Sequence, residues 1–209
     1  MNIRSLLFPF VLLSLALTAC GPTLTPLPYT EDFSNPNHGW KTVSDEAIKI
    51  GVQDGALHFT IDDLDTIAWS TPQDKRFGDF VLDVDATQVD GPNDNTYGVI
   101  VRYQDDRNFY RLDISGDGYF AVFKRKDGAW SKVQDYLETP AVKQGSATNH
   151  LQVIAKGNQF TFSVNGETVK IFSDGDFPSG NIGVTAGTLF DNSGVHIAFD
   201  NLKVSEVKP

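Results

Sequence analysis

Cysteine is almost absent from this chain of 209 residues, because Cys20 is the only one. Residues 21–209 therefore have no disulfide, no cysteine nucleophile and no cysteine-based metal site. The stability of the folded part must come from its apolar core. The composition is 40% apolar and 11% aromatic, which suffices for one globular domain.

Helical periodicity is also lacking in the rest of the chain after the N-terminal segment. No stretch there that is longer than one turn repeats apolar residues at a helical spacing. Instead, 18 Gly, 10 Pro and many Asp and Asn residues interrupt the chain, as is typical of turns between short strands. Apolar residues alternate with polar ones in ALHFTI (56–61) and FVLDVDATQV (80–89). At least ten such strands without crossover helices predict an all-β fold, an antiparallel β-sandwich.

Asn165-Gly166 is the clearest turn signal, because both residues tolerate the positive φ of a two-residue type I′ hairpin. A loop of this length predicts three cross-strand pairs, in a register that agrees with the pattern of burial: Val164 with Glu167, Phe162 with Val169, and Phe160 with Ile171. It leaves four residues facing solvent, namely Thr161, Ser163, Thr168 and Lys170.

Basic residues are few, with 17 Lys and Arg against 27 Asp and Glu, and the formal net charge is −10. A phosphate polyanion or an anionic lipid surface needs a basic face that replaces its counterions. Nucleic acid is therefore a poor partner. The acidity is the ordinary solubility charge of an exported domain.

The N-terminus has the features of an export signal. Arg4 precedes an apolar run from Leu6 to Leu17, which is too short for the roughly 20 residues of a spanning helix. The residues at 17–20, LTAC, resemble the lipobox of bacterial lipoproteins, in which the peptide is cleaved before a cysteine that becomes lipidated. We expect a signal peptide at 1–19 and a lipidated Cys20 on a proline-rich tether at 20–28.

Four segments taken together resemble concanavalin A-like (laminin G-like) jelly-roll modules: EDFSNPNHGW, YGVIVRYQDDRNFYRLDISGDGYFAVFKRKDGAW, NHLQVIAKGNQFTFSVNGETV and SGNIGVTAGTLFDNSGVHIAFDNLKV. More narrowly, they are similar to bacterial envelope modules related to the 3-keto-disaccharide hydrolase family. The resemblance implies a jelly-roll domain at 29–209. Such sandwiches host lectins, glucanases and adhesion domains, so fold alone does not assign function.

Catalytic signatures are missing. Glucanases of this superfamily carry a Glu, Asp, Glu series at alternate positions of one strand, and no two Glu residues share a strand face here. No GxSxG elbow occurs, and the histidines lack the close spacing of a zinc site. The nearest carboxylate pair is Asp83 and Asp85, whose more ordinary interpretation is an acidic solvated face.

No cofactor is required, although Asp and Asn clusters could bind a structural calcium ion through oxygen ligands. Related jelly rolls often connect their terminal strands in this way, which points to Asp32 and Asp200. The other candidate loops are DDLDT (62–66) and DGPNDN (90–95). Turn residues without a metal are the alternative, because Asp and Asn favour turns.

The stretch NFYRLDISGDGYFAVFKR (108–125) is the strongest candidate for a binding surface. A two-residue turn at Gly116-Asp117 would place on one polar face the following residues: Phe109, Arg111, Asp113, Phe120 and Lys124. Gly98 and Arg102 of the preceding strand would join this face, and Asp83 and Asp85 would continue it. Two interpretations remain open, a ladder of opposite charges that binds nothing and a shallow sugar site, with Trp69 and Trp130 as the next candidates.

These observations predict a lipid-anchored extracytoplasmic module that binds a glycan or another envelope ligand without catalysis. Membrane contact would occur only through the lipid at Cys20. One alternative is a sugar-acting hydrolase of the 3-keto-disaccharide hydrolase type, and another is a sensory or adhesion ectodomain with a protein partner.

We predict that Cys20→Ser releases the protein from the membrane fraction or leaves its precursor uncleaved, because the lipid has no thiol to modify. Membrane fractionation and the mass of the processed chain test this outcome. Unchanged membrane association with normal processing would contradict the lipoprotein interpretation.

Overall fold

The computed structural model describes residues 23–35 and 39–208, which form two antiparallel β-sheets. Cys20, the predicted signal peptide and His38 lie outside the described residues. The strands are β1 Tyr29–Glu31, β2 Val43–Ser44, β3 Ile48–Gln53, β4 Ala56–Ile61, β5 Ile67–Ser70, β6 Phe80–Asp90, β7 Thr96–Asp105, β8 Asn108–Ile114, β9 Tyr119–Lys126, β10 Ala129–Glu138, β11 Thr148–Lys156, β12 Gln159–Val164, β13 Glu167–Ser173, β14 Asn181–Gly187 and β15 Val195–Ser205. This described part contains no helix that could span a membrane.

The two sheets pack face to face as a jelly-roll sandwich, which confirms the predicted fold class. The nine-stranded sheet has the order β13-β12-β11-β6-β15-β4-β3-β2, with β1 paired to β15. The six-stranded sheet has the order β10-β9-β8-β7-β14-β5. One apolar core lies between them, because each sheet turns one set of alternating side chains inward.

The alternation read from the sequence agrees with burial in β4 and β6. The buried residues are Leu57, Phe59, Ile61, Phe80, Leu82, Val84 and Ala86. Side chains at the intervening positions are half-buried on the outer face.

The β12–β13 hairpin corrects part of the predicted register. Val164 pairs with Glu167 as expected, but a bulge then shifts Phe162 to Lys170 and Phe160 to Phe172. The extra residue reverses which side chains of β13 face the core. Phe172 is therefore buried, whereas Ile171, predicted to be buried, is 58% exposed.

The β8–β9 turn is longer than predicted, and this single residue changes one wall of the candidate site. Ser115 N donates to Tyr119 O, so the turn contains three residues, 116–118. Gly118 adopts the positive φ of 102° that such a loop requires. Arg111 therefore pairs with Phe123, not with Val122, and every side chain of β9 moves to the opposite face.

A bulge in β7 places Arg102 inside the sandwich. Arg102 has a φ of 56°, and the pairing of β7 with β14 shifts by one residue at this point. Its guanidinium lies 5.4 Å from the Phe80 ring centroid. It donates to the carbonyl oxygens of Phe77, Gly78 and Gly157 and forms an ion pair with Asp79 at 3.3 Å, so it is not on the Arg111 face as predicted.

Part of the predicted tether contacts the domain. Thr25 exchanges two hydrogen bonds with Arg76, at 2.7 and 2.9 Å. Leu27 packs against the core. The folded unit therefore includes residues before Tyr29, the predicted start of the domain.

We predict that Arg102→Met lowers the free energy of unfolding by about 1–3 kcal/mol, because the substitution leaves the carbonyl groups of Phe77, Gly78 and Gly157 and the Asp79 carboxylate without their shared donor. Arg107→Met is the matched control at an exposed arginine and should change stability by less than about 0.5 kcal/mol. Denaturant unfolding of both variants tests this, and equal midpoints would contradict the structural role of Arg102.

Candidate functional site: a cleft on the outer face of the six-stranded sheet

The outer face of the six-stranded sheet is curled into a cleft. Its edge strands, β5 and β10, would lie roughly 24 Å apart if the sheet were flat. Yet Phe109 contacts both Trp69 of β5 and Trp130 of β10, with ring centroids 5.4 and 5.6 Å away. Sheet curvature and the inward tilt of these side chains thus bring both edges over the central strands.

The central strands carry glycines on the outer face, at positions where the neighbouring backbone leaves no room for a Cβ. A Cβ at Gly98 would lie only 2.1 Å from the carbonyl oxygen of Leu112. A Cβ at Gly183 of β14 would lie 2.6 Å from a backbone oxygen of β5. A Cβ at Gly187 would lie 2.8 Å from a backbone oxygen of the residue just before β5. The floor of the cleft can therefore lie close to the main chain.

An ion pair forms this floor. Arg111 Nε donates to Asp113 Oδ2 at 2.6 Å, and Thr96 Oγ1 donates to the same oxygen at 2.9 Å. Arg111 is 3% exposed and Asp113 is 0% exposed. Both residues are at alternate positions of β8, so their side chains share one face.

Two polar atoms of this pair lack a hydrogen bond within the described residues: Arg111 Nη1 and Asp113 Oδ1. An unmade hydrogen bond at a buried polar atom costs about 1–3 kcal/mol, and more when the group is charged. The pair therefore contains one donor and one acceptor whose hydrogen-bonding capacity the described chain does not use.

Aromatic rings enclose the Arg111 guanidinium. Its Cζ atom lies 4.9 Å from the Phe123 ring centroid and 5.0 Å from that of Trp130. A cavity of about 360 Å³ lies beside it, lined by Asp65, Ile67, Arg111, Phe123, Trp130, Ser131, Lys132, Tyr136 and Phe190. This volume falls near the lower end of the roughly 300–1,000 Å³ of small-ligand sites.

Burial changes the acid–base properties of the floor. Burial raises the pKa of the Asp113 carboxyl, and the neighbouring Arg111 and Thr96 oppose that rise. Burial, reinforced by the charge of Asp113, raises the pKa of Tyr136 to about 12. The Tyr136 phenol is therefore a hydrogen-bonding group at neutral pH and not a base.

A second lobe adjoins the cavity on the far side of Tyr136. It measures about 220 Å³ and is lined by Asp94, Asn95, Ser115, Asp117, Tyr119, Tyr136 and Leu189. Burial and the charges of Asp117 and Asp191 raise the pKa of Asp94. The cleft thus continues from an aromatic lobe into a more acidic one.

Several predicted site residues lie elsewhere. Arg111 and Asp113 do come together, and Phe109 shares their face but is buried beneath the two tryptophans. Phe120 and Lys124 face inward, because the longer β8–β9 turn reverses β9. Lys124 Nζ instead binds Asp174 at 2.5 Å, at the edge of the core.

Asp83 and Asp85 do not continue this face, since β6 belongs to the nine-stranded sheet. They flank His150, with Asp83 Oδ1 3.2 Å from Nε2 and Asp85 Oδ1 2.9 Å from Nδ1. They therefore lie on the opposite outer surface of the sandwich. The expectation of one continuous polar face was wrong, because consecutive strands such as β6 and β7 need not belong to the same sheet.

The predicted calcium residues are engaged separately. Asp32 Oδ1 accepts hydrogen bonds from the Ser34 amide and hydroxyl, at 3.0 and 2.7 Å. Asp200 Oδ1 accepts one from the Asn201 amide at 2.6 Å. Residues 23–35 and 39–208 contain no group of three or more His, Cys, Asp or Glu positioned for a metal ion. Calcium binding stays a prediction.

Phe123, Tyr136, Arg125 and Phe190 were not anticipated from the sequence. Phe123 and Arg125 alternate on β9, but the predicted turn assigned this face to the core. Phe190 belongs to a loop, and its exposure of 81% follows from no local pattern. Trp69 and Trp130 were the only wall residues with a recognisable signal, because indoles suit sugar stacking.

The fold and this cleft define a concanavalin A-like jelly-roll sandwich. The family model described as a 3-keto-alpha-glucoside-1,2-lyase-like domain matches residues 30–205, and the chain belongs to that family. A comparison with curated protein sequences found no significant match.

Solved structures of low sequence identity share the fold. The carbohydrate-binding module CBM66 from Bacillus subtilis is 21% identical with a TM-score of 0.64, over 80% of this chain and 96% of that one. A putative glycosyl hydrolase from Parabacteroides distasonis is 18% identical with a TM-score of 0.58, over 85% and 98%. A β-glucanase from Bacillus licheniformis is 11% identical with a TM-score of 0.61, over 87% and 98%.

The histidines of the opposite face generate a pH prediction. Burial favours the neutral ring of His150, but hydrogen bonds with Asp85 and Asp83 outweigh it and raise its pKa above 6.5. Burial and the adjacent His196 lower the pKa of His58 below 6.5. Because the pKa of His150 is higher in the folded than in the unfolded state, its protonation stabilises the fold. This stabilisation is fully present below the unfolded-state pKa of 6.5 and is lost as the pH rises through the folded-state pKa of His150.

We expect NMR titration to give a higher midpoint for His150 than for His58. His150→Gln should lower the free energy of unfolding more at about pH 5.5 than at about pH 8.5, whereas His58→Gln should show the opposite trend. Coinciding midpoints for the two rings would contradict the assigned contacts.

Proposed function

We propose that the protein binds a glycan in this cleft without catalysing a reaction. The observation that carries the proposal is the buried Arg111–Asp113 pair, which contains one unpaired donor and one unpaired acceptor and whose guanidinium lies between two aromatic rings. Neighbouring sugar hydroxyls can satisfy both atoms at once, because a hydroxyl both donates and accepts hydrogen bonds.

The charges of the floor favour a neutral ligand. The positive charge of Arg111 is offset by Asp113 at 2.6 Å. A phosphate or sulfate group would place a second negative charge near this carboxylate, which is unfavourable in a buried site. A neutral sugar avoids that cost and keeps the charge-assisted hydrogen bonds.

The walls fit the apolar faces of a sugar ring. Trp130 is 42% exposed although it lies in a cleft, and Phe190 is 81% exposed. Exposed aromatic rings beside a few convergent polar groups are typical of ligand sites. The shared fold with a module named as carbohydrate-binding supports the same function.

The number of carboxyl groups in the cleft favours a binding role over hydrolysis. Glycosidases normally use two carboxyl groups about 5–10 Å apart on either side of the cleaved bond. Among the described residues that line the aromatic lobe, Asp65 is the single carboxylate, and Asp113 is fully buried and paired with Arg111. The described lining therefore offers no second carboxyl group to act with Asp65 across a bound sugar.

A second candidate is elimination from a 3-keto glycoside, the reaction type in the family's description. Its specific support is the raised pKa of the Asp113 carboxyl, whose Oδ1 has no partner in the described chain. Such a carboxylate could accept the C2 proton as the C1–C2 double bond forms and the C1–O bond breaks. Release of the aglycone from a 3-keto-α-glucoside, abolished by Asp113→Asn, would favour this role over binding alone.

The setting proposed for this function is the outer side of a bacterial membrane, with the domain held by a lipid at Cys20. The support is the N-terminal sequence. The lone cysteine directly follows an export signal, and acidic residues outnumber basic ones by 27 to 17. The lipid would keep the domain beside the glycans of the envelope.

We predict that Arg111→Lys weakens oligosaccharide binding about ten- to a hundredfold, because it keeps the charge beside Asp113 but loses the forked donor, a loss of roughly 1.5–3 kcal/mol. Trp130→Ala should weaken binding at least about fivefold through lost stacking, on the order of 1 kcal/mol. Calorimetric titration with a panel of neutral and acidic oligosaccharides, alongside melting curves, measures both effects.

Leu137→Ala is the matched control, because Leu137 is an exposed apolar residue of the same strand as Trp130 and does not line the cavity. It should bind like the parent protein. If the parent binds no sugar of the panel, or if all variants bind equally, the proposed site is wrong.

A further inference from the structure

Three side chains form an arch across one end of the cleft. The Arg125 guanidinium lies 5.9 Å from the Trp69 ring centroid and 5.2 Å from that of Trp130. Beneath them, Phe109 is 0% exposed although it is on the outer face of the sheet. Since Trp69 and Trp130 come from opposite edges of the sheet, the arch spans the full width of the cleft.

Hydrogen bonds hold the arch in place. Trp69 Nε1 donates to Asp106 Oδ1 at 2.9 Å, and Tyr103 Oη donates to the same oxygen at 2.7 Å. Arg125 Nε donates to the Gly128 carbonyl at 3.3 Å. Opening this end would break these bonds together with the cation–π contacts between Arg125 and the two indoles.

The opposite end of the cleft, at Tyr136, adjoins the second lobe. The cavity beside Arg111 includes Trp130 but neither Trp69 nor Phe109. Towards Tyr136 it adjoins the second lobe, which reaches Asp94 and Asp117. The arch therefore covers the aromatic lobe on the Phe109 side, and the second lobe adjoins it at Tyr136.

We propose that the cleft binds the terminal residue of a glycan chain end-on, with the rest of the chain leaving past Tyr136. This inference rests on the proposed glycan-binding function. An internal residue has a neighbour on each side and needs an exit at both ends, which the arch does not provide. The cavity of about 360 Å³ suits a short chain end better than a long segment.

The test compares ligands with and without chain ends. Maltoheptaose and β-cyclodextrin contain the same α-1,4-linked glucose units, but only the linear one has ends. Linear α-1,4 and β-1,4 gluco-oligosaccharides of two to six units complete the panel. We expect affinity to level off after two or three units, and the cyclic glucan to bind at least about tenfold more weakly than the linear one.

Arg125→Ala removes the middle of the arch and should reduce the preference for linear over cyclic glucan. Arg107→Ala is the matched control, because Arg107 is exposed in the neighbouring turn and should keep the preference of the parent protein. Melting curves establish that both variants are folded. A folded Arg125→Ala with the parent's preference would overturn the role of the arch.

The outcomes for the parent protein separate the two proposals. Equal binding of linear and cyclic glucan, or affinity that rises steadily to six units, would overturn end-on recognition and leave glycan binding intact. Absence of binding to every member of this panel and of the broader oligosaccharide panel would overturn both.

Discussion

The ion pair between Arg111 and Asp113 is the interaction on which the cleft depends. Both residues are almost completely buried on the face of a sheet that would otherwise be open to water. Removing two charges from water is costly, and the attraction between them recovers that cost only with good geometry and further hydrogen bonds. Here Thr96 supplies one of these, and two polar atoms of the pair have no hydrogen bond within the described residues.

Curvature of the six-stranded sheet makes this burial possible. Glycines on β7 and β14 remove side chains from the middle of the outer face, and aromatic residues on β5 and β10 lean over the space. The result is a second, smaller cluster of aromatic residues outside the main core. A site built on strands in this way is held more rigidly than one built on loops alone.

Local irregularities assign side chains to the two faces. The three-residue turn before β9 brings Phe123 and Arg125 to the cleft, and the bulge at Arg102 sends that guanidinium into the sandwich. Each difference is a single residue. Because side chains alternate along a strand, one residue suffices to exchange the two faces completely.

The sequence by itself determined the all-β class, the interiors of β4 and β6, and the proximity of Arg111 to Asp113, because these follow from alternation within one strand. It also showed that residues 21–209 contain no cysteine. Only the tertiary structure decided that this pair is buried, that Trp69 and Trp130 meet over Phe109, and that Asp83 and Asp85 lie on the other sheet. Such contacts join strands distant in sequence, and their geometry depends on turn length, bulges and curvature that no local pattern records.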